Sequence, residues 1–256
     1  MGPGEGVGGH AQETATEGVE FTAGGLALLP PYVSLRSLTR WTAGLLAATG
    51  ALAALSLGVE LSHLRLLLQP VEGEAARSLA RSAQSATGGT LHALRLALFT
   101  LTTGVFLVWI YHARANVRAL GVRRPRFSSG GSVVAFLVPG LNVVRPHSVL
   151  AELWQASDPA ILDAFGWRVA PVPRLLRVWW SVVVAWAAVA GMAAFTHATS
   201  VLVLGRLRLA VALSALADVS ACAALALTWL VVMRLAETQQ AKWERVRAGG
   251  VASAAP

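Results

Sequence analysis

Four long apolar stretches decide what this chain can fold into. Residues 41–59 hold 19 positions without a charge and end at Glu60. Residues 91–111 are apolar apart from His92 and Arg95 near their start. Residues 178–204 and 209–233 are the longest, parted by Gly205-Arg206-Leu207-Arg208. About 20 predominantly apolar residues cross a bilayer as a helix, and all four stretches reach or approach that length. A soluble bundle of buried helices needs a polar face on each helix. Runs such as SVVVAWAAVA at 181–190 have none. Charged residues make up 13% of the chain, about half the share of an ordinary soluble domain. The expected fold class is therefore all-α: an integral membrane protein with four transmembrane helices plus a re-entrant or interfacial helical segment.

Charge placement predicts the threading. The net charge is +8, and Lys242 is the sole lysine. Arg36 and Arg40 precede the first stretch, and Arg114, Arg118, Arg123, Arg124 and Arg126 follow the second. Arg145, Arg168, Arg174 and Arg177 lie in the same connecting segment; Arg234, Lys242, Arg245 and Arg247 follow the fourth stretch. These are fifteen of the 21 basic residues. The richer side is expected in the cytoplasm, with both termini there and the plasma membrane as the location. Arg206 and Arg208 fall in a tight external turn and would snorkel to lipid phosphates. Trp41, Trp109, Tyr111, Trp179, Trp180 and Trp229 fall near the cytoplasmic ends of their stretches, as an aromatic belt would.

Residues 1–34 read as an acidic, Gly-rich tail that buries too little apolar surface to order itself. It has no basic residue, so a cleaved signal is not expected. The membrane domain is expected over 35–240 and a C-terminal cytoplasmic tail over 241–256. Between the second and third stretches, residues 132–144 are apolar but too short to cross. Pro139-Gly140 would break a helix there, and Arg145-Pro146 would close the segment. A helix then continues over 148–154 and stops at Ser157-Asp158-Pro159. The whole segment 132–154 is expected to be re-entrant or interfacial, entering from the cytoplasmic side.

Two motifs in this region carry a resemblance. FLVWIYHARANVRALG at 106–121, together with FLVPGLNVVRP at 136–146 and ELWQAS at 152–157, resembles the paired signatures of the bacterial membrane family called domain of unknown function 4328. The resemblance extends over residues 35–240. It implies a multi-pass membrane protein and carries no assigned activity.

Candidate sites come from the same residues. Trp109, Tyr111, Arg114, Asn116 and Arg118 lie where the second helix enters the cytoplasm. Arg114 and Arg118, four apart, share a face and would either anchor topology or bind anionic lipid headgroups. Pro139, Asn142, Arg145, Pro146, Glu152 and Trp154 surround the breaker. Arg145 could pair with Glu152, and Asn142, Arg145 and Asn116 would either plug an irregular loop or line a ligand pocket. Asp218 lies near the bilayer midplane, 11 residues from Trp229, or about 16 Å along a helix. A carboxylate there is either an ion or proton site or a structural hydrogen bond, with His197, Ser200 and Arg95 as possible partners. Small residues at Gly50, Ala54 and Gly58, and at Ala217, Ser220, Ala221 and Ala224, would let helices approach closely. Cys222, the one cysteine, reads as packing.

Catalytic templates such as HExxH, GxSxG, a Walker loop or CxxC do not occur in the chain. No enzymatic activity, cofactor, metal or nucleic-acid partner is expected. The expected role is to organise or regulate partners at the cytoplasmic face: lipid, a second copy, or another membrane protein. The alternative is a small oligomeric transporter or channel subunit using Asp218.

Overall fold

A computed structural model describes residues 30–68, 78, 86–199 and 204–252. The described residues are 84% helical, and no strand occurs among them. The helices are α1 (Arg36–Leu68), α2 (Ala86–Ala119), α3 (Ser129–Leu137), α4 (Leu141–Ala156), α5 (Arg174–Thr199) and α6 (Leu204–Ala252), with a 3-10 turn at Gly166–Val169 before α5. α1, α2, α5 and α6 are each long and apolar enough to cross a membrane.

Their side chains are arranged inside-out relative to a soluble bundle. In the most apolar stretch of α5 only 11% of residues are buried within the protein. Leu55, Leu94, Leu96, Leu101, Val178, Phe195 and Leu216 point outward. Water would make such a surface costly, whereas lipid accepts it. The inward faces are partly polar. On α1 the buried stripe is Thr39, Thr42, Leu46, Thr49, Ala53 and Ser56, alternating steps of three and four. Gly58 and Ala54 are exposed, so the Gly50–Gly58 stripe expected to pack is not the packing face. The hydroxyls instead bond back to the preceding turn or across the bundle: Thr49 Oγ1 lies 2.7 Å from Thr102 Oγ1 of α2.

α6 packs along both α1 and α5 and organises the molecule. Its inward seam runs Leu207, Val211, Ser214, Asp218, Ala221, Leu225, Thr228, Val232, Leu235, Gln239, Lys242 and Val246, again in alternating steps of four and three. That spacing keeps one seam facing its partners along a gently supercoiled helix. At 49 residues α6 is about 74 Å long, far more than the ~30 Å hydrocarbon core. It therefore continues past its apolar part, 209–233, as a rigid rod. Two expectations change here. The segment 205–208 is the first turn of α6 rather than a connecting turn, and residues 241–252 continue the helix rather than forming a tail.

The end of the bundle that carries the two motifs is called here the motif end. α2 stops in a Schellman motif: Gly121, at φ 78, and Val122 donate to the carbonyls of Arg118 and Val117. Ser128 caps α3, its hydroxyl accepting from Gly131 N at 3.0 Å. Val138 is extended, as a residue before proline must be, and Gly140 takes φ 82, a left-handed angle that favours glycine. Helix, break and helix thus make a hairpin. Arg145-Pro146 does not close it, because Pro146 lies inside α4. The proline only removes the bond to the Asn142 carbonyl, and Trp180 Nε1 donates to the neighbouring Val143 carbonyl at 2.9 Å. α4 ends at Ala156 before Ser157-Asp158-Pro159, as expected.

Of the expected tail, residues 1–29 lie outside the described residues. Residues 30–34 have no regular secondary structure and are pinned: Tyr32 stacks on Trp243 with ring centroids 4.9 Å apart. Burial there pushes the Tyr32 phenol above its ordinary value.

Candidate functional site

Two polar clusters are built into the bundle. The first, at the motif end, centres on Arg114 and Glu152. Both are buried, and their side chains form an ion pair. Arg114 also donates from Nε and Nη2 to the Phe127 carbonyl, at 2.9 and 2.7 Å. Glu152 Oε1 accepts from the backbone N–H of Arg126 at 2.7 Å. The pair thus clamps the backbone at 126–127 from both sides. Trp167 Nε1 donates to the Arg123 carbonyl and Arg168 Nη2 to the Arg124 carbonyl, at 3.3 and 3.0 Å, while Arg123 N donates to Ala164 O. The loop from 121 to 128 is consequently fixed along its length. Arg114 Nη1 and Glu152 Oε2 are left without a partner, so the pair is monodentate.

Neighbouring motif residues act the same way. Asn116 is buried and grips Val33 twice: Nδ2 to the carbonyl at 2.8 Å and Oδ1 from the N–H at 3.0 Å. Trp109 is fully buried, its Nε1 donating to Thr39 Oγ1 at 2.9 Å. From α6, Gln239 Nε2 donates to Ala113 O and Lys242 Nζ to Ala156 O, both at 2.9 Å. Lys242 lies nine residues beyond the apolar part of α6, and burial lowers its amine to about 8.

Several sequence expectations are corrected by this geometry. Glu152 pairs with Arg114 and not with Arg145, which is exposed. Arg114 is buried and unavailable to headgroups, whereas Arg118 is exposed; the two do not present one basic face. Asn116 is buried behind Val33 while Asn142 and Arg145 are exposed, so the three do not line a common pocket. Pro139 is exposed, Pro146 buried, and Trp154 half-buried against the core. Trp109 and Trp179 are core side chains rather than belt residues; Trp179 Nε1 donates to Thr228 Oγ1 at 2.9 Å. Trp41, Tyr111 and Trp229 do face outward.

The second cluster lies in the opposite half of the bundle. Asp218 is 1% exposed and forms a two-pronged ion pair with Arg95 of α2. Of the partners considered, Arg95 is therefore the one that answers Asp218. His197 Nε2 instead lies 3.0 Å from Ser214 Oγ, and Ser200 lies outside the described residues. Arg95 also lines a cavity of about 90 Å³, together with Glu60, His63, His92 and His197 and with Val59, Leu91, Leu207 and Val211. Glu60, His63 and His92 were missed as site residues, yet Glu60 and His63 continue the inward stripe of α1 by the same steps of four and three. Among the described residues no group of His, Cys, Asp and Glu has metal-holding geometry. Cys222 is a free thiol with Sγ 3.8 Å from the Gly50 carbonyl, a packing position.

No curated protein and no solved structure matches this chain. The family described as Domain of unknown function (DUF4328) matches residues 73–237, well over half the chain. The match takes in the Arg114–Glu152 clamp, the α3–α4 hairpin and the Arg95–Asp218 pair, and leaves out α1, Gln239 and Lys242. The motifs read from the sequence and the architecture they build agree with that match: four of the helices are long and apolar enough to span a membrane, and the chain belongs to the domain of unknown function 4328 family.

Proposed function

We propose that this chain is a non-enzymatic protein of the plasma membrane, with both termini in the cytoplasm, that organises or regulates partners at the cytoplasmic face. One observation carries the reading: the motif residues are consumed internally. Arg114, Glu152, Asn116 and Trp109 bond to other parts of the chain, and together they hold a fixed surface at the arginine-rich end. A rigid, charged surface without an assembled nucleophile and base suits docking better than turnover. The partner is a second copy of the chain or another membrane protein. Photo-crosslinking in native membranes tests this. Probes at exposed motif-end positions such as Ser148 and Arg245 should give discrete protein adducts, and probes at Leu94 and Leu209 only lipid. Adduct-free motif-end probes, together with a stoichiometric small-molecule substrate retained on purification, would refute it.

A second reading, a small oligomeric transporter or channel subunit, is favoured by the Arg95–Asp218 pair beside a cavity that holds Glu60 and three histidines, since intramembrane charges mark permeation routes. Against it, Phe106, Trp109 and Trp179 belong to the packed core nearer the motif end. Proteoliposome flux that falls in Asp218→Asn and Asn142→Ala would favour this reading; flux indifferent to both would dismiss it.

A further inference from the structure

We propose that the groove bounded by Arg118, Arg123, Arg124 and Arg126 binds the phosphate of an anionic phospholipid headgroup. The groove is lined by these four arginines with Val122, Pro125, Phe127 and Ser128. All four arginine residues are exposed, and among the described residues none is paired with a carboxylate. Four like charges around one groove repel one another unless an anion sits between them. Guanidinium groups are suited to phosphate because their planar donors match its oxygens.

The backbone that carries these arginines is held more firmly than a topology anchor requires. An anchoring arginine needs only its charge at the right side of the membrane. Here the carbonyls of Arg123, Arg124 and Phe127 and the N–H groups of Arg123 and Arg126 all have partners, two of them through a buried ion pair. Burying that pair carries a desolvation cost. Arg124 itself sits at φ 51, a left-handed angle strained for a side chain of this kind. The result is a preorganised backbone from which the arginine donors project, and preorganisation raises affinity for a specific ligand.

Its position selects a lipid phosphate over a free one. Tyr111 is exposed and lies seven residues before Arg118 on the same helix, so the two share a face with about 10 Å of rise between them. An exposed Tyr favours the headgroup level. At the far end of α3 from the groove, about 13 Å along the helix, the tip of the α3–α4 hairpin exposes Leu137, Val138, Leu141, Val143 and Val144, an apolar surface that acyl chains would cover. This inference rests on the reading that the motif end lies at the inner leaflet, where anionic lipids concentrate, but it does not depend on any protein partner.

The test uses the full chain in nanodiscs of phosphatidylcholine containing phosphatidylglycerol, with lipid retention read by native mass spectrometry. The wild type should keep phosphatidylglycerol in fixed stoichiometry through detergent washing. Arg123→Gln/Arg124→Gln should weaken that retention by roughly tenfold or more, with an unchanged thermal midpoint because both side chains are exposed. Arg36→Gln/Arg40→Gln, which removes two exposed arginines outside the groove, should retain the lipid. Should the loop variant unfold, Arg118→Gln, placed on a helix, gives the same reading. Equal retention in both double variants would overturn the proposal as mere charge attraction. Displacement by millimolar inorganic phosphate would overturn it in favour of a soluble anion. Loss of protein crosslinks with lipid retention intact would count against the partner reading alone.

Discussion

Replacing Arg114 with Met should cost far more than replacing an exposed arginine, and Glu152→Met should cost less when Arg114 is already gone than it does alone. Arg114 is 3% exposed and Glu152 5% exposed, so Arg114→Met leaves a buried carboxylate without its counter-charge. Breaking a buried pair from one side costs about 3–5 kcal/mol. The pair is monodentate, with Arg114 Nη1 and Glu152 Oε2 unpartnered, which places the expected loss near the lower end, about 3 kcal/mol. Removing both charges in Arg114→Met/Glu152→Met takes away that penalty but strands the Phe127 carbonyl and the Arg126 N–H, each worth about 1–3 kcal/mol when left unsatisfied. The double variant should therefore be less damaged than the two single losses added together, with a coupling of about 2 kcal/mol. Reversible unfolding in mixed micelles, followed by tryptophan fluorescence, measures all four corners of the cycle. Strictly additive losses would refute the argument, because they would mean that the two side chains do not compensate one another.

The other contacts make separate predictions. Asn116→Ala should free the 30–35 segment, with a loss of about 1–3 kcal/mol and faster amide exchange at Val33; unchanged exchange would contradict the clamp. Asp218→Asn should cost about 1–2 kcal/mol in the same unfolding assay, below a fully buried pair because Arg95 is a third exposed, and Arg95→Gln should add little on that background. Lys242 holds its proton less tightly in the folded chain, at about 8 against an ordinary 10.5. The unfolded chain therefore binds more protons between those values, and stability should rise with pH across that window. Lys242→Met should flatten that rise; an unaltered slope would refute it. Amine reagents at neutral pH should also spare Lys242, which is 0% exposed.

The sequence made the apolar helices legible because lipid imposes a length and a lack of charge that few other folds share. It also singled out Trp109, Arg114, Asn116 and Glu152, which bond internally at the motif end. What it misassigned was their orientation. Arg114 and Arg118 are equivalent by spacing and by type, but one points into the bundle and the other out of it, and only the position of Glu152 on α4 decides which. A tryptophan near a helix end reads as an interfacial belt until a hydroxyl such as Thr39 or Thr228 is found within reach of its N–H. The far-half cluster was missed for a different reason. Glu60 and His63 looked like the polar end of a span, although their place on the three-four stripe beginning at Thr39 already put them inward. The same periodicity would have carried α6 through Gln239 and Lys242, since these polar residues occupy seam positions and satisfy carbonyls on α2 and α4.

Cysteine accessibility in intact cells tests the account most directly. On a Cys222→Ser background, single substitutions Arg123→Cys at the motif end and Ser62→Cys at the opposite end are exposed to a membrane-impermeant maleimide. The account predicts labelling of the Ser62→Cys chain in intact cells and of the Arg123→Cys chain only after the membrane is opened. Labelling of Arg123→Cys from outside would contradict it, as would recovery of the folded chain from the aqueous fraction without detergent.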